Sequence, residues 1–298
     1  MRPGQTFLTW LARKESGVTP TLCFSRVAYT RLVARLVLPL DTVTARTLGV
    51  PLHEAEVHES VVALQEQLLP VTAVPADLIV AHELALAYGR PDVVAAAVQL
   101  AEWRAWRRLK IEPCTAPVPL TTALALSKLA GKATLDELVA ANGGPEARAR
   151  LRRSLASLSE LGWVRRQGEA FVLRLVPGDA LLSASGVEAK LNNWRRAVRQ
   201  VQSWESYVDA VWLAFPAAYL PNVPRTPRLR RFGLIAVEEG CAHIVRRPSG
   251  PRAQGVRHVL MEQHLYGRWL AATQGKRAAS TTPRATARGR GRAAPREQ

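Results

Sequence analysis

Cysteine is scarce in this sequence: Cys23, Cys114 and Cys241 are the only three among 298 residues, and they lie far apart. An odd number of widely spaced cysteines builds neither a disulfide framework nor a paired-cysteine zinc site, which favours a cytoplasmic location. Long apolar runs are also missing, since no segment approaches the roughly 18 uncharged apolar residues that a membrane helix needs. These absences exclude a secreted disulfide scaffold and a membrane-spanning protein.

Acidic residues are few: the sequence has 24 Asp and Glu against 41 Lys and Arg, which gives a formal charge of +17. An excess of this size favours an anionic partner, and nucleic acid is the commonest one. Residues 275–298 contain seven cations and one acid, so a low-complexity basic tail supplies part of the charge. The remainder is rich in apolar residues, and the chain is long enough to bury a sizeable core.

Residues 120–176 carry the signals of a compact unit of three helices and a hairpin. Thr134-Leu-Asp-Glu137 has the spacing of a capping box, and Pro145 stands where a further helix would begin. Leucines at helical spacing form an apolar stripe on that helix, and Gln167-Gly168 predicts the turn of a hairpin. This order resembles a winged helix-turn-helix domain.

Arginines cover the sides of the third helix that face away from its leucine stripe. A helix fits the major groove of duplex DNA, where arginines bind phosphates or guanine edges, and a wing contacts the flanking backbone. The resemblance therefore implies double-stranded DNA as partner. The expected DNA-binding residues are Arg148, Arg150, Arg152 and Arg153 on the helix and Arg165 and Arg166 in the hairpin. A small interaction module with solvated arginines is the alternative.

A second signal is Val187-Glu-Ala-Lys190, followed by an amphipathic helix over 193–206 and an apolar strand over 210–215. Residues two apart on a strand share a face, so Glu188 and Lys190 are expected to project together. A carboxylate can hold a divalent metal that activates water, and a nearby ammonium stabilises the developing negative charge. The alternative for these residues is a structural ion pair.

This strand, helix and strand order resembles the second half of the core of the PD-(D/E)xK nuclease superfamily, which also requires an aspartate at the start of the preceding strand. Asp92 and Asp179 are the two candidates, and geometry favours Asp92 because nine residues before Glu188 leave little room for two strands. The resemblance implies Mg²⁺ or Mn²⁺ as cofactor, with Asp92 and Glu188 as metal ligands and Lys190 as the third catalytic residue. Glu59, Glu66 and Glu83 are further acids that could complete the site, although each is also explained as a solvated surface acid.

The predicted fold class is therefore α/β (α+β), a nuclease-like mixed sheet flanked by helices and interrupted by an inserted winged helix domain. The predicted segments are a helical region at 1–50 with no assigned role, in which 27–38 is expected to be a helix; the first part of the core at 51–110; the winged helix at 117–176; the second part of the core at 177–272; and a disordered tail at 273–298.

These assignments predict a divalent-metal-dependent DNA endonuclease that hydrolyses phosphodiester bonds. The alternative is a non-catalytic winged-helix transcriptional regulator in which the nuclease-like core is inactive and serves as a scaffold or dimer interface. A basic protein that coats nucleic acid through its tail is a third hypothesis. A homodimer is compatible with the first two, and no membrane partner is expected.

Overall fold

The computed structural model describes residues 32–38, 52–70, 75–238, 241–249 and 253–280, with side chains described between residues 57 and 274 of those ranges. The strands in these ranges are β1 Leu32–Leu38, β2 Ala76–His82, β3 Val93–Val98, β4 Lys132–Thr134, β5 Val164–Gln167, β6 Ala170–Leu173, β7 Leu181–Ala189, β8 Ala210–Pro216, β9 Gly233–Glu238 and β10 Cys241–Arg246. The α-helices are α1 Leu52–Ala63, α2 Gln65–Leu68, α3 Leu100–Arg108, α4 Pro117–Lys128, α5 Leu135–Ala141, α6 Arg148–Glu160, α7 Trp194–Trp204, α8 Pro227–Arg230 and α9 Val256–Ser280.

A mixed sheet organises the fold, with the strand order β1-β2-β3-β7-β8-β9-β10. The strands β2, β3 and β7 run antiparallel in succession, whereas β8 and β9 are parallel to β7. Every residue of β3 is buried, as its continuous apolar sequence Val93–Val98 predicts for a central strand covered on both faces. The predicted α/β fold class, a mixed sheet flanked by helices, is confirmed.

Two apolar clusters cover the faces of this sheet. On one face, Val57 and Val61 of α1 pack with Val187 and Trp212, while the carbonyl of Leu68 accepts the Trp212 indole N–H at 3.1 Å. The other face is covered by α3, α7 and α9, with Trp204 among its buried residues. Val57 and Val61 lie one turn apart on α1, so both face the sheet.

The chain between β3 and β7 contains a unit of helices α4, α5 and α6 with a three-stranded sheet in the order β4-β6-β5. Its predicted capping box is present, because the Thr134 hydroxyl accepts the Glu137 N–H and the Glu137 carboxylate accepts the Thr134 N–H. The Trp163 indole N–H donates to the carbonyl of Glu112 at 2.9 Å, which ties this unit to the segment that follows α3. The unit also shares its apolar core with α3 and α9, the helices that cover one face of the main sheet.

Two predictions about the ends of the chain are wrong. Residues 32–38, expected within a helix, form β1, which is parallel to β2, because pairing with a distant strand satisfies the backbone of this apolar segment. The tail does not begin at 273, because α9 continues to Ser280; the predicted disorder of 281–298 lies outside the described residues.

Within the described ranges, no helix is long and apolar enough to cross a membrane.

Candidate active site

The candidate site lies at the edge of the sheet where β7 ends and β3 begins. Antiparallel pairing of Val93 with Val187 places Asp92 opposite Glu188. The backbone of Asp92 is fixed on both sides, because its N–H donates to the carbonyl of Val187 at 3.1 Å and its carbonyl accepts the N–H of Glu83 at 2.9 Å. Asp92 is therefore held in register by two neighbouring strands.

The ammonium of Lys190 joins the two predicted carboxylates. Lys190 Nζ lies 3.3 Å from Asp92 Oδ2 and 2.8 Å from Glu188 Oε1, and it donates to the carbonyl of Ala189 at 2.9 Å. Asp92 Oδ2 also accepts the Ala189 N–H at 2.7 Å. The structure thus brings together the three residues expected to be catalytic, although residues far apart in the chain supply them.

Strand alternation explains why Glu188 and Lys190 share a face with Gly186. A Cβ atom on Gly186 would lie 2.4 Å from the Trp204 ring, so this ring packs directly against β7. Trp204 is the last residue of α7 and is fully buried. Glycine at 186 lets α7 approach the strand and cover the start of the Glu188 side chain.

Glu188 is a buried acid with an unusual protonation equilibrium. Its side chain has 0% exposure, and its polar contacts are with the Lys190 ammonium, which lies 2.8 Å from Oε1, and with the Trp204 side chain. Burial, followed by the negative charge of Asp92, raises the pKa of Glu188 to about 7, although Lys190 acts in the opposite direction. Burial and the charge of Asp92 therefore disfavour the ionised form of Glu188, and positive charge beside the carboxylate stabilises that form.

Asp92 behaves differently although it sits in the same cluster. Burial would raise its pKa, but contact with His58, the charge of Lys190 and the Ala189 N–H together hold the pKa of Asp92 below its usual value. His58 Nε2 lies 3.6 Å from Asp92 Oδ2. The pKa of Asp92 is thus lowered while that of Glu188 is raised, and neighbouring carboxyls with pKa values shifted in opposite directions are common at functional sites.

The remaining acidic candidates differ in their position relative to the site. Asp179 is exposed and precedes the start of β7, so it lies at the opposite end of this strand from Glu188. Glu59 and Glu66 are both exposed and take no part in the cluster. Glu83 lies next to the site, pairs with Arg90 at 3.4 Å, and has its pKa raised by burial.

His58 is the member of the cluster that sequence reasoning missed. Helix α1 presents His58 to the site, whereas the neighbouring Glu59 points to solvent. The histidine stands one residue from buried Val57, and nothing in the helical spacing links it to Asp92. Only the packing of α1 against the sheet makes the contact visible.

The donors at this edge suit a hard divalent cation. Mg²⁺ binds through one or two carboxylates and completes its shell with water and phosphate oxygens, which matches Asp92 and Glu188. Asp92 and Lys190 keep 15% and 11% of their side chains exposed, whereas Glu188 has no exposed surface, so solvent reaches the cluster at Asp92 and Lys190. Among the described residues, no group of three or more His, Cys, Asp or Glu side chains is arranged to hold a metal by itself.

All of the arginines expected to contact DNA are exposed on the inserted unit: Arg148, Arg150, Arg152, Arg153, Arg165 and Arg166. Two of them also have contacts within the unit. Arg148 forms an ion pair with Asp136, and Arg166 Nε donates to the carbonyl of Gly168 at 3.0 Å. The others of this set are free to meet an anionic partner, as far as the described residues show.

Comparison with protein-family models and with curated proteins finds no match to this chain. A comparison with solved structures finds similarity to a protein of unknown function from Silicibacter pomeroyi, at 12% identity, covering 78% of this chain and 97% of that protein, with a TM-score of 0.38. Similarity at that score carries no argument about function.

Proposed function

We propose that this protein is a divalent-metal-dependent DNA endonuclease of the PD-(D/E)xK type, with a winged helix-turn-helix domain inserted in its core. The observation that carries the proposal is the convergence of Asp92 and Glu188 on one ammonium, that of Lys190, at an edge of the sheet. The strand order supports it as well. The resemblance implies a strand, a helix and a strand, with an aspartate at the start of the preceding strand; β7, α7 and β8 follow in that order, and Asp92 directly precedes β3.

Each residue of the cluster has a distinct role in this proposal. Asp92 and Glu188 would hold Mg²⁺ or Mn²⁺, which would supply an acidified water and neutralise charge on the phosphate when bound. Lys190 is held against both carboxylates and the carbonyl of Ala189, so its ammonium is positioned to stabilise the phosphate as negative charge develops. His58 contacts Asp92 and keeps that carboxylate ionised.

The inserted unit supplies the affinity for double-stranded DNA. Helix α6 buries Leu151, Leu155 and Leu158 and leaves its arginines exposed, which suits insertion into a major groove. The hairpin β5–β6 carries Arg165 and Arg166 as a wing would. A duplex bound by the inserted unit would be held close to Asp92, Glu188 and Lys190, because the same chain carries both.

A cleavage assay on supercoiled plasmid DNA tests the proposal. Wild-type protein is expected to nick or linearise the DNA with Mg²⁺ or Mn²⁺ and not with EDTA. Asp92→Asn, Glu188→Gln and Lys190→Met should each reduce the rate by at least 100-fold, since acid–base and electrostatic contributions of this kind are worth about 10²–10⁴. Glu102→Gln, on the exposed surface of α3, is the control that should cleave normally.

One observation favours a second function, that of a non-catalytic winged-helix regulator with an inactive nuclease-like core. Glu188 has no exposed surface, and its ion pair with Lys190 is also what a structural pair would show. In that case the protein binds duplex DNA without cutting it, and substitution of Glu188 or Lys190 leaves the affinity unchanged. Under either function we expect a cytoplasmic protein; light scattering would test the predicted homodimer.

A further inference from the structure

A basic groove runs along α7 on the side facing α8. It encloses a volume of about 500 Å³, and the residues that define its chemistry are Trp194, Arg195, Arg199, Gln202, Thr226 and Arg228. Three arginines and no carboxylate line it. Within the described residues none of these three arginines forms an ion pair, so their charge is available to an external anion.

The groove combines this charge with apolar surface. Val198 and Leu229 are buried and form its floor, whereas Trp194 is partly exposed with the Arg195 guanidinium 5.3 Å above its ring. A duplex backbone presents only phosphate and sugar to such a surface. Unpaired bases can pack on apolar and aromatic side chains while their phosphates meet arginines, which is the pattern of single-strand binding grooves.

The position of the groove links it to the candidate active site. Helix α7 starts four residues after Lys190, and the Tyr219 hydroxyl accepts the N–H groups of Asn193 at 2.8 Å and Trp194 at 3.2 Å. Tyr219 follows β8, which is parallel to β7, so both strands end at the edge that carries the cluster. The groove then extends about 12 Å along α7, from residue 194 to residue 202.

We propose that this groove binds an unpaired DNA strand and guides it to the cluster, so that the preferred substrate is duplex DNA with a single-stranded extension. The inference rests on the proposed nuclease function and deepens it. The inserted unit would bind the duplex, and α7 would bind the unpaired strand. The exposed arginines of α6 suit a duplex, whereas the apolar, arginine-lined groove on α7 suits an unpaired strand, so a substrate that contains both would use both surfaces.

Fluorescence anisotropy in EDTA, where no cleavage occurs, tests this inference with three labelled DNAs: a blunt duplex, the same duplex with an oligothymidine tail, and free oligothymidine. Wild-type protein should bind the tailed duplex at least ten-fold more tightly than the blunt one. In Arg199→Gln/Arg228→Gln that advantage should fall below two-fold, with the blunt-duplex affinity unchanged. For free oligothymidine, the slope of log K against log [salt] should become about 1.4 less steep in this double variant. Each phosphate contact on a single strand contributes about 0.7 to that slope, and two contacts are removed.

Two further variants sharpen the result. Trp194→Leu should also weaken binding of the tail, while Arg225→Gln, an exposed arginine outside the groove lining, should behave as wild type. Equal binding of tailed and blunt duplexes by the wild-type protein would overturn the inference while leaving the nuclease proposal intact. So would a double variant that loses blunt-duplex affinity, since the groove would then be a duplex contact. A protein that binds none of the three DNAs would overturn both proposals.

Discussion

Replacing Glu188 by Gln should change the pH dependence of stability in a defined direction. The pKa of Glu188 is raised in the folded protein from 4.5 to about 7. The folded state therefore binds a proton more tightly than the unfolded state, and this contribution to stability is complete below pH 4.5 and lost as the pH rises through 7. Glutamine does not titrate, so the variant lacks this loss.

The expected magnitude follows from the two pKa values. Between pH 5 and pH 8, the free energy of unfolding of Glu188→Gln should rise by about 2–3 kcal/mol relative to wild type. Taking this difference between two pH values cancels any cost of the substitution that does not depend on pH, while the attraction of Lys190 to the ionised carboxylate is already included in the pKa of about 7. It also cancels the titration of other groups, such as Glu262, whose pKa burial raises to about 7, and His82, whose pKa burial lowers.

Urea denaturation followed by tryptophan fluorescence, in EDTA, measures this difference, since several tryptophans are buried. Glu102→Gln, which replaces an exposed acid, should run parallel to wild type at all pH values. A difference between Glu188→Gln and wild type that stays constant within about 0.5 kcal/mol from pH 5 to pH 8 would show that Glu188 is not a destabilised carboxylate. The charge argument for a cation site would then fail.

Three other predictions concern packing, capping and DNA binding. Gly186→Ala should lower the free energy of unfolding by about 1–3 kcal/mol in urea titrations, because the new methyl group would overlap the Trp204 ring. Thr134→Ala should cost about 1 kcal/mol in the same assay through loss of the capping box. Arg152→Gln/Arg153→Gln should weaken binding to any duplex and reduce the log–log salt slope by about 1.8 in anisotropy titrations; an unchanged slope would contradict contact between α6 and phosphates.

The pairing of Glu188 with Lys190 could be predicted from the sequence because it depends on strand alternation, which is local. The capping box of α5 was also predictable, since both of its partners lie within four residues. The choice of Asp92 over Asp179 needed one further step, because it was favoured by the length of chain that two strands require. For the pair and the capping box, a short segment contains enough information to fix the geometry.

The rest depends on contacts between distant segments. Residues 32–38 were predicted to be part of a helix but form β1, because they pair with β2, and no local sequence pattern reveals this partner. His58 reaches Asp92 only through the packing of α1 on the sheet. The groove on α7 likewise needs Arg228 from α8 to face Arg199, and no spacing in the sequence brings these two arginines together.

Binding of a divalent cation to the metal-free protein tests most directly whether Asp92 and Glu188 form a metal site. Titration with Mn²⁺, followed by calorimetry or electron paramagnetic resonance at pH 8, should show one ion per chain in wild type. Asp92→Asn and Glu188→Gln should abolish this binding. Lys190→Met should strengthen it, because the ammonium 2.8 Å from Glu188 competes for the same carboxylates. Absence of binding in wild type, or binding that none of these substitutions changes, would contradict the account.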